Sequence, residues 1–191
     1  MKRVYVVLLC LLFTGFCACG PVSTEKMAKR DPYARVIKTH QRHGYGYYYY
    51  ALYDIDGNGT EELLLGTHAW QDLIGFHVVY SIQNGKAVQE EPFGLWHWDH
   101  GFPPLLLKNG VIRSDITLPA DLRYFYYRFE NGKLTFQKGL LEDTHEYFRI
   151  DPDDEERIPI TKEEYDRLQK EYEGDGETVE LDWKPLAEYG R

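Results

Sequence analysis

Three Asn-Gly pairs, each lying between β-rich segments, place the strongest constraint on the fold of this chain. The pairs are Asn84-Gly85, Asn109-Gly110 and Asn131-Gly132, and the segments beside them are rich in leucine, β-branched and aromatic residues. Asn-Gly tolerates the positive φ angles of a type I′ turn, which joins two antiparallel strands through two residues. The sequence therefore predicts successive hairpins that form an antiparallel meander.

Two helices are predicted to flank these strands. The first begins at Asp31-Pro32, where the aspartate caps the helix and the proline occupies its first turn. Its apolar face repeats at helical spacing and consists of Tyr33, Val36, Ile37 and His40. The second helix begins with a capping box of Thr161 and Glu164 and ends at Gly174.

The fold class predicted from these elements is α+β. An antiparallel β-sheet, built as a meander of hairpins, carries an N-terminal and a C-terminal helix packed on it. Residues 151–157, DPDDEER, are predicted to form an acidic loop, and residues 179–186, VELDWKPL, a last strand or an extended segment. Residues 32–191 then form a single globular domain, which we expect to be a monomer.

The first residues have the pattern of an export signal. Lys2 and Arg3 precede an uncharged run, residues 4–16, which suits the apolar core of a signal peptide and is short for a membrane span. The run ends in FCACG, where a cysteine follows a small residue, as lipoprotein signal peptidase requires. The pattern predicts a signal peptide over residues 1–18, a diacylated Cys19 and a polar tether over residues 19–31. Cleavage near Ala18 without lipidation is the alternative.

Composition narrows the range of partners. The chain has a net charge of −9, so a nucleic-acid partner is not expected. Its three cysteines, Cys10, Cys17 and Cys19, all lie in or beside the signal, so the domain has neither an internal disulfide nor a thiol nucleophile. We expect the lipid to hold the domain at the outer side of the cell membrane. A cell-wall glycan or a protein is left open as a further partner.

Residues 53–66, YDIDGNGTEELLLG, contain the clearest chemical pattern. Oxygen-bearing side chains recur at alternate positions, and Gly59 permits a sharp turn between them. Calcium takes about six to eight hard oxygen ligands in a flexible shell. The sequence predicts a structural calcium site formed by Asp54, Asp56, Asn58, Thr60 through its carbonyl, and Glu62. A metal-free turn rich in Asp, Asn and Gly is the alternative.

The spacing D-x-D-x-N-G-x-x-E between two strands resembles the calcium loop of FG-GAP propeller blades. It differs from an EF-hand, because Leu65 stands where an EF-hand carries its bidentate glutamate. A propeller is not predicted, since propellers repeat the loop in each blade and this chain has it once. The chain also resembles uncharacterised lipoproteins of Gram-positive bacteria. The resemblance lies in the longer pattern YALYDIDGNGTEELLLG, in the signal sequence ending in FCACG and in the segment ITKEEYDRLQKEY. That resemblance implies a surface location and calcium, and no established activity.

Two further groups of residues suggest other functions. His97, Asp99 and His100 could form part of a zinc site completed by His68 or His77, which would indicate a metal-dependent hydrolase. An aromatic platform that binds a glycan or a peptide could be formed by Trp70, Trp96, Trp98, Phe102 and Tyr47 to Tyr50. We expect first a non-enzymatic, lipid-anchored domain with a structural calcium loop, second the binding module, and third the hydrolase.

The anchor gives the first testable prediction. We expect the native protein to begin at Cys19 and to carry a thioether-linked diacylglycerol there, because the uncharged run ends at FCACG. Mass spectrometry of the N-terminal peptide, from protein purified in detergent, measures this modification. A Cys19→Ser variant, which has no thiol to modify, should accumulate as the uncleaved precursor. An unmodified N-terminus near Gly20 in the native protein would contradict the prediction.

Overall fold

The computed structural model describes residues 31–43, 46–68, 74–90, 102–119, 121–130, 132–152 and 154–190. The predictions made for the signal peptide, for Cys19 and for nearly all of the tether fall outside the described residues. Six residues of the weaker site predictions also fall outside them: Trp70, Trp96, His97, Trp98, Asp99 and His100.

The described strands form two antiparallel sheets rather than the single sheet predicted. Four strands follow one another in the first half of the chain: β1 Tyr49–Tyr53, β2 Glu62–His68, β3 Ile74–Gln83 and β4 Lys86–Glu90. Six follow in the second half: β5 Leu105–Leu106, β6 Val111–Leu118, β7 Asp121–Glu130, β8 Lys133–Asp143, β9 Glu146–Asp151 and β10 Asp154–Ile160. A last strand, β11, covers Lys184–Pro185. The predicted class, α+β, is confirmed.

The two sheets have simple strand orders. The five-stranded sheet runs β11-β1-β2-β3-β4, and the six-stranded sheet runs β10-β9-β8-β7-β6-β5. Consecutive strands are therefore neighbours throughout the six-stranded sheet, which is the meander expected from short connections. The Asn84-Gly85 hairpin joins β3 to β4 and therefore belongs to the five-stranded sheet. The meander is interrupted after it, since β4 and β5 are not paired with each other.

The secondary structure is arranged in four layers. Helix α1, Ala34–His43, covers the outer face of the five-stranded sheet, where its Ile37 shares a buried cluster with Leu65. The neighbouring Leu64 lies on the opposite face, among the apolar residues between the two sheets. Helix α2, Lys162–Glu173, covers the outer face of the six-stranded sheet, where its Leu168 lies with Tyr126. Neither described helix has the length and apolar character needed to cross a membrane.

The Asn-Gly turns differ from one another. Asn84 and Gly85 have φ angles of 52° and 73°, as a type I′ turn requires, so this prediction is confirmed. At the second pair only Gly110 has a positive φ, 79°, and the Gly110 amide donates to the Leu107 carbonyl at 2.9 Å. That connection is a three-residue hairpin loop, so the predicted type I′ turn is wrong there. Gly132 has a φ of 71° in a two-residue turn, and Asn131 lies outside the described residues.

The acidic segment 151–157 is mostly strand, so the predicted loop is wrong. Strand β9 extends to Asp151, and β10 begins at Asp154 after a tight turn. Strand β10 lies at the edge of its sheet, where it pairs with one neighbour only. Charged residues are common on edge strands because they discourage pairing with other chains. The acidic composition of this segment therefore indicated that it is exposed, but did not indicate that it forms strand β10.

Both helices begin at the predicted N-cap residues, but the capping box of the second helix is only half formed. The Asp31 carboxylate accepts a hydrogen bond from the Tyr33 amide at 2.9 Å, and regular helix starts at Ala34. At α2 the Thr161 hydroxyl accepts the Glu164 amide at 3.2 Å, which is half of the predicted capping box. The Glu164 carboxylate accepts instead from Arg149 at 2.8 Å.

A β-bulge at His77 interrupts the pairing of β2 with β3. Val78 pairs with Leu65 and Phe76 pairs with Gly66, so His77 is the extra residue of the bulge, and the side chains on either side of it change the face on which they lie. Burial lowers the pKa of the His77 imidazole to about 4, because the charged form loses its hydration.

This burial predicts a loss of stability in acid. Between the ordinary histidine pKa of 6.5 and about 4, the unfolded chain binds a proton at His77 that the folded domain does not bind. The contribution of His77 to the free energy of unfolding should therefore fall by about 2 kcal/mol as the pH falls through this interval, after allowing for its partial exposure. The raised pKa of Glu62 acts in the opposite direction over the same interval, so the difference between His77→Gln and the wild type isolates the effect of the histidine. Urea denaturation at pH 7 and pH 4.5 measures the loss, and His77→Gln should reduce it. His68→Gln, at an exposed histidine, is the control. Equal losses in all three proteins would contradict the assignment.

Candidate metal centre

The predicted calcium segment forms the loop that connects β1 to β2. These strands pair from Tyr49 with Gly66 to Tyr53 with Glu62, so the loop occupies residues 54–61. Gly57 and Gly59 have φ angles of 70° and 84°, a left-handed conformation that other residues seldom adopt. The two glycines therefore let a short segment curl back on itself and place its side-chain oxygens on one side.

Ile55 fixes the loop to the interior of the domain. Its side chain is 7% exposed and lies between the sheets, in the cluster that contains Leu64 and Phe125. The flanking Asp54 and Asp56 face the loop instead, where their carboxylates accept the amides of Asn58 and Gly59. Both aspartates are partly buried.

Three carboxylates converge in this loop. Ligand oxygens of Asp54, Asp56 and Glu62 all lie within 4.8 Å of one another. Two oxygens bound to one calcium ion at about 2.3–2.6 Å are at most roughly 5 Å apart, so the spacing fits a shared ion. The structure therefore brings together three of the five predicted ligands as an acidic cluster with the spacing of a metal site.

Backbone amides hold these side chains in place. The Asp54 carboxylate accepts from the amides of Asn58 at 3.0 Å and Gly59 at 2.8 Å. Asp56 accepts from Asn58 at 3.2 Å and from the Gly132 amide, in the turn between β7 and β8, at 3.4 Å. The Asn58 side chain accepts the Thr60 amide at 2.7 Å. A carboxylate oxygen has further lone pairs, so these bonds orient the group and leave it able to bind a cation.

Glu62 is the most buried member of the cluster. Its side chain is 1% exposed, and it accepts a hydrogen bond from the Ile55 amide at 2.9 Å. Burial raises the pKa of this carboxyl to about 7, with a further contribution from the charges of Asp56 and Asp54, and the Ile55 amide opposes the shift. Ionised Glu62 is therefore costly unless a positive charge lies close to it.

No basic side chain supplies that charge among the residues that the structure describes. Asp54, Asp56 and Glu62 form no ion pair there, whereas the half-buried Asp115 and Glu173 both pair with Arg113 at 2.9 Å. The donor set is entirely oxygen, which suits calcium or magnesium rather than zinc. The arrangement can bind a hard divalent cation. Asn58 and Thr60 are exposed beside it, and their role as ligands stays a prediction.

Two histidines of the predicted zinc site, His68 and His77, lie among the described residues. His68 is exposed, and its ring shares a hydrogen bond of 2.6 Å with the Tyr49 hydroxyl. His77 lies at the bulge in β3. Within the described parts of the chain, the acidic loop is the single group of three metal-ligating side chains with suitable spacing.

An apolar cleft of about 810 Å³ lies on the side of the domain where β3, β5 and the segment before β11 meet. Trp183, Phe76 and Phe102 line it, and Phe102 is 58% exposed. Of the predicted aromatic platform, the structure therefore brings Phe102 to a cleft, and Tyr48 is exposed at 62%. The contribution of Trp183 was missed, because it comes from a segment far away in the sequence.

Two glycines allow residues that line this cleft to approach the strands closely. A Cβ added at Gly66 would lie 2.9 Å from the Trp183 ring, and one added at Gly75 would lie 2.2 Å from Pro103. Neither glycine has a positive φ, so close approach of a neighbour, and not backbone conformation, requires them. An unexplained glycine inside each strand pattern was the sequence signal for these contacts.

Comparisons with known proteins do not assign the chain to a family: no family model, curated protein or solved structure matches it.

The burial of Glu62 gives a test that separates its charge from its shape. Glu62→Gln keeps the volume and can still accept the Ile55 amide, but it removes the charge that repels Asp54 and Asp56. In chelator we expect its melting temperature to equal or exceed that of the wild type. In millimolar calcium we expect the wild type to have the higher melting temperature, because the variant lacks the carboxylate ligand of Glu62.

The control is Glu61→Gln, which changes the adjacent and exposed glutamate. It should behave like the wild type in both buffers. Differential scanning calorimetry measures the midpoints. A Glu62→Gln variant that is less stable than the wild type in chelator, and equally stabilised by calcium, would contradict this role of Glu62.

Proposed function

We propose that this chain is an exported lipoprotein, held at the outer side of the membrane by lipid on Cys19, whose domain binds one calcium ion in the β1–β2 loop. The convergence of Asp54, Asp56 and Glu62, with no basic partner among the described residues, carries the calcium proposal. The anchor is supported by the N-terminal sequence pattern. Asn58 and the Thr60 carbonyl are proposed to complete the shell.

The proposed role of the ion is structural. Ile55, between the two aspartates, is buried between the sheets, so fixing the aspartates also fixes this residue. Asp56 contacts the turn at Gly132, which belongs to the other sheet. A cation bound here would stabilise the junction of the two sheets rather than act on a substrate. We therefore propose a non-enzymatic domain.

The expected affinity is modest. Calcium sites of extracellular proteins typically have dissociation constants of about 10⁻⁴–10⁻³ M, which suits a compartment where calcium is plentiful. Magnesium should bind less well, because it retains its water and requires a stricter octahedron.

The apolar cleft favours a second candidate function, the binding of a peptide. Trp183, Phe76 and Phe102 offer aromatic surface, and the volume of about 810 Å³ would accommodate several apolar side chains of a peptide. Its lining is mostly apolar, which favours an apolar side chain over a glycan, since a sugar needs several polar partners. The calcium loop and the cleft are formed by different residues, so the two functions are compatible.

A thermal scan tests the calcium proposal. At ten times the dissociation constant, a ligand that binds only the folded state adds about 1.4 kcal/mol to the free energy of unfolding. For a domain of this size that is a rise in the melting temperature of roughly 3 °C. Asp54→Ala should abolish the rise, although it also lowers the midpoint in chelator by removing the acceptor of the Asn58 and Gly59 amides.

The quantity to compare is therefore the shift caused by calcium, measured separately for each protein. Asp175→Ala is the matched control, because the Asp175 side chain is 91% exposed. It should keep the full shift. A wild-type midpoint that is the same in chelator and in millimolar calcium would leave the loop as a metal-free turn and would contradict the proposal.

A further inference from the structure

The positive charge of the chain is concentrated at the start of the domain. Residues 26–43 contain six basic residues and one acidic residue, whereas residues 44–191 contain fourteen basic and twenty-nine acidic residues. The net charge of −9 therefore conceals a strongly basic segment beside a strongly acidic body. Helix α1 is the described part of that segment, and it contains no acidic residue.

The basic residues of α1 form a stripe on its exposed side. Arg35, Lys38 and Arg42 occupy positions i, i+3 and i+7, which lie on one face of a helix, and all three are exposed. The buried face, at Tyr33 and Ile37, lies opposite. The stripe therefore points away from the five-stranded sheet.

These three side chains share one helix face and have no carboxylate partner among the described residues. Lys86, Arg128 and Lys133, which also form no ion pair there, lie on three separate strands. Ten basic residues elsewhere in the domain form ion pairs: Lys108, Arg113, Arg123, Lys138, Arg149, Arg157, Lys162, Arg167, Lys170 and Lys184. Arg35, Lys38 and Arg42 form none with the carboxylates that the structure describes. An acidic domain has ample carboxylates to neutralise them, so an unneutralised stripe indicates an external anionic partner.

We propose that this stripe docks on anionic phospholipid headgroups, so that α1 is the side of the domain that faces the membrane. The proposal rests on the lipid anchor proposed above. The tether of residues 19–31 reaches at most about 40 Å when extended, so α1, which follows it directly, stays close to the bilayer surface. The apolar face of α1 is used by the domain core, and docking therefore involves the charged side chains at headgroup level.

Charge also sets the orientation of the rest of the domain. An anionic surface attracts the stripe and repels the acidic body, so both effects turn α1 towards the lipid. Each basic side chain near such a surface favours association by roughly fivefold, and three of them by about 100-fold. This attraction is screened by salt, since the Debye length falls from about 8 Å at 0.15 M to about 3 Å at 1 M.

The experiment uses the lipidated full-length protein in vesicles with a fluorescent label on one cysteine. The sequence contains no cysteine after Cys19, so Thr39→Cys provides a unique labelling site beside the stripe without removing a charge. Glu163→Cys labels the exposed start of α2, on the opposite outer face of the domain. Quenching by brominated lipid reports the distance of each label from the bilayer, in neutral phosphatidylcholine vesicles and in vesicles with 30% phosphatidylglycerol.

We expect strong quenching at residue 39 in anionic vesicles, weak quenching there in neutral vesicles or in 1 M salt, and weak quenching at residue 163 in all of them. Replacing Arg35, Lys38 and Arg42 together by Gln should abolish the difference. Replacing Lys162, Arg167 and Lys170 of α2 by Gln, which removes the same charge elsewhere, should preserve it. These residues are exposed, so the variants are expected to fold, and circular dichroism checks this.

Flotation separates failure of the anchor from failure of docking. A protein that does not float with neutral vesicles lacks the anchor. A protein that floats with both vesicle types but shows equal quenching at residue 39 in both is anchored without docking, which would overturn the proposal. The quenching at residue 39 could also decrease as more protein is placed on each vesicle, with no dependence on anionic lipid. That result would overturn the proposal, because the stripe would then contact a second copy of the chain.

Discussion

Burial of the Glu62 carboxylate at the start of β2 is the constraint on which the loop and the junction of the sheets depend. An ionised carboxylate removed from water costs several kcal/mol unless it is paired. The half-buried Asp115 and Glu173 share a charged partner, Arg113, whereas the buried Glu90 accepts bonds from neutral donors, the Ser81 hydroxyl and the Leu134 amide. Glu62 has two further carboxylates beside it instead. A divalent cation would turn this repulsion into coordination.

The position of the loop connects this local chemistry with the whole domain. Ile55 joins the apolar layer between the sheets, and its amide donates to Glu62 at 2.9 Å. The same loop also contacts the start of helix α1, where the Tyr33 hydroxyl donates to the Glu61 carbonyl at 2.7 Å. The loop therefore contacts the outer helix layer, the five-stranded sheet and the apolar layer between the sheets. A change in its charge should affect all three, which is why stability is the natural observable for the proposed calcium site.

The features that could be predicted from the sequence are those set by neighbouring residues. The acidic cluster was found because Asp54, Asp56 and Glu62 lie within nine residues and alternate with an apolar one. The type I′ turn at Asn84-Gly85 was found because both residues tolerate positive φ. The equivalent turn at Thr144 and His145, with φ angles of 47° and 72°, was missed, because a β-branched threonine rarely adopts a positive φ. The pairing of Asp143 with Glu146 leaves these two residues to form the turn.

Features that depend on distant segments could not be predicted in this way. The division into two sheets depends on which faces meet, and a pattern of alternating apolar residues is the same for one sheet or two. The cleft combines β3, β5 and Trp183, which are brought together only by the fold. The bulges in β3 and β8 reverse the facing of the strands, and no local residue pattern marks them.

The central claim is that a cation in the β1–β2 loop stabilises the junction of the sheets. Hydrogen exchange of the Ile55 amide, measured by NMR in chelator and in millimolar calcium, tests this claim most directly, because that amide donates to the proposed ligand Glu62 and belongs to a residue buried between the sheets. We expect calcium to slow the exchange of this amide in a saturable way, with one ion bound per chain. An exchange rate for Ile55 that is unchanged by saturating calcium would contradict it.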